Sequence, residues 1–360
     1  MDLTFTAEQE LMAEAFRTLV SDLCAPKQLR VAFDGDRSLD ETRWQRLAEL
    51  GILGLLAPES SGGMGLTAVD MILIAESAGW AALPEAVSEH AGIAVPVLAE
   101  FATRPRAAAV LADAVTGKAR IAVSHPANPF VLAADTATHF IIFSDDKIHL
   151  LDRQSVSLDS HQSIDALRHL SRVTATLNAA NCLADGAPAV AALRRAFERG
   201  ALFSAAECVG LCERMIQLAV AYASERSQFG KRIGSYQAIK HLLANAQVKL
   251  EFARPALYAS AAGLVHFSEA RSSLSISHAK LAAGDAAELA ARTAIQVHGA
   301  MGYSWEVDLH FYMKRVWAQL GAWGDRSFHM RRVQTLLFES PLRIGPDQLF
   351  ESNLSPLGKD

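Results

Sequence analysis

The spacing of apolar residues along the chain changes twice, and these changes divide it into three parts. Up to Gly117 the apolar residues recur at three- and four-residue intervals, which predicts amphipathic helices. Between Ala119 and Leu177, short apolar stretches alternate with polar positions, as β-strands do. Beyond Gly186 the helical spacing returns in longer runs. We therefore predict a helical domain over residues 1–117, a β domain over 118–185, a helical bundle over 186–340 and a surface tail over 341–360.

The first predicted helix has a start, an inner side and an end that its residue types indicate. Thr6 and Gln9 have the spacing of a capping box, in which each side chain binds the backbone N–H of the other residue. Pro26 should end the helix, because proline has no backbone N–H to donate. The side expected to face the core consists of Leu11, Ala15, Leu19 and Leu23.

The order of the predicted elements favours an α+β fold that is mainly α. A doubly wound α/β fold is not indicated, because no GxGxxG motif follows a predicted strand. Strands are predicted at 119–124, 139–143, 147–151 and 171–177, with a tight turn at 144–147. In the third part, helices are predicted at 187–224, 236–267 and 270–297, and again from 309 onward.

Composition and charge narrow the functional class. The formal net charge of −5 offers no cationic surface for nucleic acid. The chain shows no basic and apolar leader, and no apolar run reaches the ~20 residues that span a bilayer. The cysteines have no metal-binding or redox spacing, which favours free thiols in a reducing cytoplasm. They are Cys24, Cys182, Cys208 and Cys212.

The segment RSQFG, from Arg226 to Gly230, is the first with candidate chemistry. It follows a predicted helix, and the next helix begins near Gln237. An arginine, an amide and exposed backbone N–H groups at such a corner suit a phosphate or pyrophosphate. The same residues suit a charged helix C-terminus that complements the helix dipole. From the residues alone, both interpretations stay open.

Two further segments are rich in glycine. Residues Gln296 to Glu306, QVHGAMGYSWE, place glycines at a helix end, where the backbone is able to approach a ligand closely. The alternative is an ordinary glycine cap followed by a loop. Residues Gly51 to Gly65, GILGLLAPESSGGMG, indicate by themselves only a turn between helices.

In this order and spacing, the three segments resemble the acyl-CoA dehydrogenase family over residues 5–335. The resemblance implies an N-terminal helical domain, a small β domain and a C-terminal four-helix bundle. It also implies bound FAD, with the RSQFG segment contacting the FAD of the facing subunit. The FAD contacts that the resemblance implies are Arg226, Gln228, Phe229, Gln237, Gln296 and Gly299.

The resemblance does not extend to the catalytic base. In such enzymes a carboxylate removes the α-proton of the substrate while a hydride leaves the β-carbon for the flavin. The two positions at which the family holds that glutamate are occupied here by Trp323 and Gly200. Asp325 is the acid nearest the first position, and Glu198 and Glu207 lie nearest the second. For Asp325 and Glu198 we favour the interpretation of a solvated surface acid.

The predicted β domain also departs from the family pattern. The segment SHPANP, from Ser124 to Pro129, stands where an acyl-CoA-binding stretch is expected, and the Trp-Ile pair near the flavin is absent. Chains shortened in this way resemble the subunits of heteromeric acyl-CoA dehydrogenases from bacterial steroid catabolism. There, two different family chains share FAD sites and only one chain carries the base.

The resemblance therefore implies a subunit without a base, in an enzyme that desaturates a bulky acyl-CoA such as a steroid-derived one. The implied partners are the acyl-CoA, a second family chain in an α2β2 assembly or further copies of this chain, and an electron-transfer flavoprotein as electron acceptor. Two alternatives stay open. One is a self-sufficient homomeric enzyme that uses another acid, such as Asp325, and the other is a structural homologue without flavin.

Overall fold

The computed structural model describes residues 4–35, 40–340 and 342, and it confirms the α+β, mainly α class. Of the predicted surface tail, residues 341 and 343–360 lie outside the described residues. A π-helical turn at His90–Ala94 joins two of the N-terminal helices. These helices are α1 (Ala7–Leu23), α2 (Pro26–Asp34), α3 (Glu41–Glu49), α4 (Ala68–Ala81), α5 (Val87–Glu89), α6 (Val95–Glu100) and α7 (Pro105–Val115).

Helix α1 begins as predicted but turns a partly different side to the core. The capping box is confirmed, because Thr6 N–H donates to Gln9 Oε1 at 2.9 Å and Gln9 N–H donates to Thr6 Oγ1 at 3.3 Å. The predicted inner side is confirmed only in its second half. Leu19 and Leu23 pack against the core, whereas Leu11 is 68% exposed and Ala15 is also exposed. The fully buried residues of the helix are Phe16 and Val20, on the neighbouring stripe, which buries a large aromatic ring.

The β domain contains two small sheets. Strands pair in the order β1-β3-β4-β7 in one sheet and β2-β6-β5 in the other. The predicted turn at 144–147 is confirmed, with Ser144 paired to Lys147. The strands are β1 (Ile121–Ser124), β2 (Val131–Leu132), β3 (His139–Ser144), β4 (Lys147–Asp152), β5 (Val156–His161), β6 (Leu170–Ala175) and β7 (Cys182–Asp185).

The C-terminal part is a helical bundle, as predicted. Its first helix, α8 (Gly186–Glu225), packs against α4 of the N-terminal part and against the third helix of the bundle, α10 (Glu269–His298). Among the described residues, no helix is both long and apolar enough to cross a membrane. The bundle helices are α8 (Gly186–Glu225), α9 (Gln237–His266), α10 (Glu269–His298), α11 (Leu309–Gly321) and α12 (Arg326–Phe338).

A buried ion pair joins the three parts of the chain. Arg315 in α11 donates through Nε to Asp165, which lies in the loop between β5 and β6. Arg315 Nη1 also donates to the carbonyl of Leu83, just after α4, at 2.8 Å. Both charged side chains are at most 5% exposed. One guanidinium thus holds the bundle, the β domain and the N-terminal helices together.

Candidate active site

The RSQFG segment forms a short hairpin between α8 and α9. Its strands are β8 (Ser227–Gln228) and β9 (Lys231–Arg232), and they pair antiparallel. Phe229 and Gly230 form the turn with φ angles of 54° and 82°. A phenylalanine in the left-handed region is uncommon. Its side chain is nevertheless 93% exposed, so burial within this chain does not account for it.

The backbone of this hairpin is held by the chain itself, whereas its side chains are exposed. Ile233 N–H donates to the carbonyl of Arg226 at 2.8 Å, and Tyr236 Oη donates to the carbonyl of Gln228 at 3.2 Å. The Arg226, Gln228 and Phe229 side chains all lie on the surface. The hairpin is therefore rigid but presents its arginine, amide and aromatic ring outward.

The glycine-rich loop lies at the same end of the bundle as the hairpin. The ring of Tyr222, in the last turn of α8, stacks on the ring of His298, in the last turn of α10, at 4.3 Å. Gly299 follows directly, with φ 61° and open space where a Cβ would stand. Gln296 and Gln237, the first residue of α9, are both exposed. The predicted FAD contacts therefore lie on the helix ends and turns of the bundle.

Trp323 and Gly200, the two positions at which the resemblance predicts the base of the family, meet in space, and neither carries a carboxylate. The indole ring of Trp323, just after α11, lies directly on the backbone of Gly200 in α8. A Cβ at Gly200 would fall inside van der Waals contact of three carbons of that ring. Only glycine therefore fits beneath the indole, which is 2% exposed.

Trp323 is fixed by the segment SHPANP, whose sequence departs from the family pattern. The backbone N–H of Trp323 donates to Asn128 Oδ1 at 2.8 Å, and the ring of His125 lies 5.2 Å from the indole. On the other side, His329 Nε2 lies 3.0 Å from the carbonyl of Trp323. The segment SHPANP and Trp323 both differ from the family pattern, and they contact each other.

Two of the acids proposed from the sequence have structural roles. Asp325 is exposed and caps α12 by accepting the N–H of Phe328 at 2.7 Å. Glu198 is not the solvated surface acid that we expected, since it is 7% exposed. It pairs with Arg332 and accepts a hydrogen bond from Ser273 at 2.5 Å. Its partners come from α12 and α10, far away in the sequence, so charge patterning along α8 did not reveal them.

Glu207, the third acid, belongs to a polar network inside the protein. It accepts hydrogen bonds from Ser88 Oγ at 2.5 Å and from the amide of Gln319. Nearby, Lys280 Nζ donates to Ser204 Oγ at 2.6 Å and to the carbonyl of Gln319 at 2.9 Å. Burial lowers the pKa of Lys280. These bonds join α5, α8, α10 and α11.

Sequence reasoning missed an acid that lies beside Trp323. A cavity of about 370 Å³ opens between the β domain and the end of α11, and both Glu89 and Trp323 line it. Burial, followed by the charge of Glu207, raises the pKa of Glu89 to about 6, while Arg168 and the Trp323 side chain lower it. In the sequence, the feature that could have drawn attention to Glu89 is its position as the one carboxylate in the largely apolar stretch from Val87 to Leu98.

Two family descriptions match the chain. The acyl-CoA dehydrogenase N-terminal domain matches residues 6–118, and the acyl-CoA dehydrogenase C-terminal domain matches residues 189–334. The chain belongs to the acyl-CoA dehydrogenase family. Other members of this family bind FAD. The resemblance found in the sequence is thereby confirmed, and with it the fold of this acyl-CoA dehydrogenase chain.

Individual relatives of the chain extend over nearly its whole length. Acyl-CoA dehydrogenase IpdE2 of Mycobacterium tuberculosis is 30% identical over 340 residues, which make up 94% of this chain and 100% of IpdE2. Acyl-CoA dehydrogenase FadE34 of the same organism is 28% identical over 366 residues, which cover 98% of this chain but 50% of FadE34. A chain of the ChsE4-ChsE5 complex from M. tuberculosis superimposes with a TM-score of 0.82 at 23% identity, covering 95% of this chain and 100% of that chain.

Replacing Glu89 by glutamine should stabilise this acyl-CoA dehydrogenase chain in a pH-dependent way. A carboxyl whose pKa is raised on folding binds more protons in the folded state, so its ionisation opposes folding as the pH rises. The amide removes that cost. We expect the free energy of unfolding to rise by about 2 kcal/mol at pH 8 and by under about 1 kcal/mol near pH 5.

Urea unfolding at the two pH values measures this difference. Glu49→Gln, on the exposed face of α3, serves as the control and should change stability by at most about 0.5 kcal/mol at either pH. A gain for Glu89→Gln that is equal at pH 5 and pH 8 would show that the charge of Glu89 is not its cause.

Proposed function

We propose that this chain is the subunit without a catalytic base in an FAD-dependent acyl-CoA dehydrogenase made of two different family chains. The enzyme would desaturate a bulky, steroid-derived acyl-CoA between Cα and Cβ. The observation that carries this proposal is the contact between Trp323 and Gly200, because it fills both positions from which the family draws its base. An indole ring offers no group that accepts the α-proton.

The exposed hairpin supports a role in holding FAD across a subunit interface. Arg226, Gln228 and Phe229 are presented to solvent on a backbone that the chain itself fixes. Such an arrangement suits a surface that is completed by another chain. Arg226 would pair with the pyrophosphate of FAD, for which a guanidinium is well matched in charge and geometry. Gln237, Gln296 and Gly299 would line the adenine and pyrophosphate end.

The relatives support a second chain as the partner. The ChsE4-ChsE5 structure is a complex of two named chains, and one of them covers this chain almost completely. FadE34 is about twice as long as the segment that it shares with this chain, so a similar unit accompanies a second half there. The steroid-derived acyl group is proposed from the resemblance to the subunits of steroid catabolism.

In the assembled enzyme the two chains would divide the work. FAD, when bound, accepts the hydride that leaves Cβ and passes its electrons on, in our proposal to an electron-transfer flavoprotein. The partner would supply the carboxylate that removes the α-proton. This chain would position the pyrophosphate end of FAD through Arg226. Its buried Trp323 would fill the place of the base that this chain lacks.

Arg226→Ala should weaken FAD binding to the complex about tenfold or more. Removing a charge-assisted contact to a phosphate costs about 1.5–3 kcal/mol. Flavin absorbance of the purified complex, titrated with FAD, measures the loss. Arg194→Ala is the matched control, because Arg194 is an exposed arginine of α8, the helix that precedes Arg226, and it pairs with Glu269. Unchanged FAD occupancy in Arg226→Ala would contradict the assignment.

Co-expression with a neighbouring family chain distinguishes the proposal from its alternatives. Flavin that appears only in the co-expressed complex, at half a flavin per chain, supports the shared site. Flavin and turnover in this chain alone support a self-sufficient homomeric enzyme. No flavin in either preparation supports a structural homologue.

A further inference from the structure

Arg168 is a buried cation that makes no ion pair and no side-chain hydrogen bond in the part of the chain that the structure describes, although it lies near enough to Glu89 to lower the pKa of that carboxyl. Its side chain is 8% exposed, and its Nε has no hydrogen-bond acceptor. Neither an ion pair nor a side-chain hydrogen bond of Arg168 occurs among residues 4–35, 40–340 and 342. A buried charge that is neither paired nor hydrogen-bonded is expensive. The guanidinium of Arg168 therefore has hydrogen-bond donors that no acceptor of the described chain fills, and an anion from outside the chain is able to fill them.

The other buried arginines of the chain show what is missing at Arg168. Arg43 donates through Nε to Glu85 at 2.8 Å, and Arg315 pairs with Asp165. The backbone around Arg168 is itself well fixed, since its N–H donates to the carbonyl of Asp165 at 3.0 Å. The unpaired guanidinium is thus held in place by an ordered loop between β5 and β6.

The cavity beside Trp323, which we call the Arg168 cavity, is lined by both polar and apolar residues. Its volume is about 370 Å³. The polar lining residues are Arg168, Glu89, Asn128, Gln162 and Ser163. The apolar lining residues, which we call the apolar wall, include Val123, Phe130, Leu132, Ile164, Leu170 and Ala318. A ligand that fills this space needs an anionic head at Arg168 and an apolar body along the wall.

The charge around Arg168 decides which anionic head fits. Glu89 borders the cavity, and Glu207 lies close enough to Glu89 to raise its pKa. Two carboxyls beside one guanidinium disfavour a doubly charged phosphate head, because like charges repel in a poorly solvated space. A carboxylate carries a single charge and matches the fork of a guanidinium in a bidentate pair.

We propose that the Arg168 cavity binds a monoanionic carboxylate with an apolar body, whose carboxylate pairs with Arg168. This site is separate from the RSQFG hairpin, so the proposal does not rest on the assignment of FAD to this chain.

Binding should also take up a proton at Glu89. The groups that face this carboxyl are Glu207 from α8, Arg168 from the β domain and the Trp323 side chain. A bound carboxylate adds a negative charge beside Glu89 and neutralises Arg168, and both changes favour the protonated form. Protonated Glu89 is then able to donate its O–H to the ligand. Affinity should therefore increase as the pH falls from 8 to 6.

Calorimetric titration of the full chain with hexanoate tests the proposal. We expect one hexanoate per chain, no binding of 1-hexanol, and weaker binding of hexyl phosphate than of hexanoate. Arg168→Gln should weaken hexanoate binding about tenfold or more. Arg153→Gln, an exposed arginine of the same domain, is the control and should leave it unchanged. Glu89→Gln should abolish the pH dependence.

A variant that fills the cavity keeps the test decisive if Arg168→Gln does not fold. Ile164 is 55% exposed at the wall of the cavity, so Ile164→Trp should fold and should block hexanoate. Absence of hexanoate binding by the native chain overturns the proposal. So does full affinity in Arg168→Gln or Ile164→Trp, and so does tighter binding of hexyl phosphate, which would assign the cavity to a phosphate instead.

Discussion

Replacing Asp165 by alanine should lower the free energy of unfolding by about 3–5 kcal/mol. The substitution leaves the guanidinium of Arg315 buried without its carboxylate, since Arg315 is only 4% exposed. It also removes the acceptor of the Leu167 N–H, at 3.1 Å. Because the same arginine binds the carbonyl of Leu83, the loss should loosen the contact among all three parts of the chain.

Urea unfolding followed by circular dichroism measures this loss. Asp159→Ala is the matched control, because Asp159 is an exposed acid of β5 whose ion pair within the described part of the chain is with His161; it should cost at most about 1 kcal/mol. Adding Arg315→Met to Asp165→Ala should recover much of the loss, since the unpaired charge is then gone. A cost below about 1 kcal/mol for Asp165→Ala would show that Arg315 is satisfied by water.

Local patterns were sufficient to predict most elements of this fold. The capping box of Thr6 and Gln9 and the long apolar periods of the bundle act within a few residues, so their outcome depends little on distant chain. The choice of inner side on α1 was different. Leu11 and Phe16 both lie on plausible apolar stripes, and the position of α4 decides which stripe is buried.

The candidate site illustrates the same limit more strongly. The RSQFG hairpin is a local feature. The sequence therefore predicted that these residues lie together at a corner between two helices. The contact between Trp323 and Gly200 joins α8 to the segment after α11, far away in the chain. Glu198 was misjudged and Glu89 was missed for the same reason, because Arg332 and Trp323 reach them only through the tertiary fold. Residue type alone does not report such neighbours.

The effect of Gly200→Ala on the free energy of unfolding should change sign when the side chain of Trp323 is removed. In the native chain the added methyl group meets the indole ring, which is fixed by Asn128 and His329, and we expect a loss of about 1–3 kcal/mol. Trp323→Ala alone should cost about 3–5 kcal/mol, since it empties a buried site. In that background the methyl group meets no ring, and alanine favours the helix by about 0.5–1 kcal/mol over glycine.

A double-mutant cycle of these two substitutions therefore tests whether the indole and the glycine form one contact. Their coupling energy should be about 1.5–4 kcal/mol, the difference between the loss in one background and the gain in the other. Gly321→Ala at the end of α11 is the control, because a Cβ there meets nothing within 4 Å. Additive effects of Gly200→Ala and Trp323→Ala would mean that the indole does not occupy the place of the base, and the proposed division of work between two subunits would lose its main support.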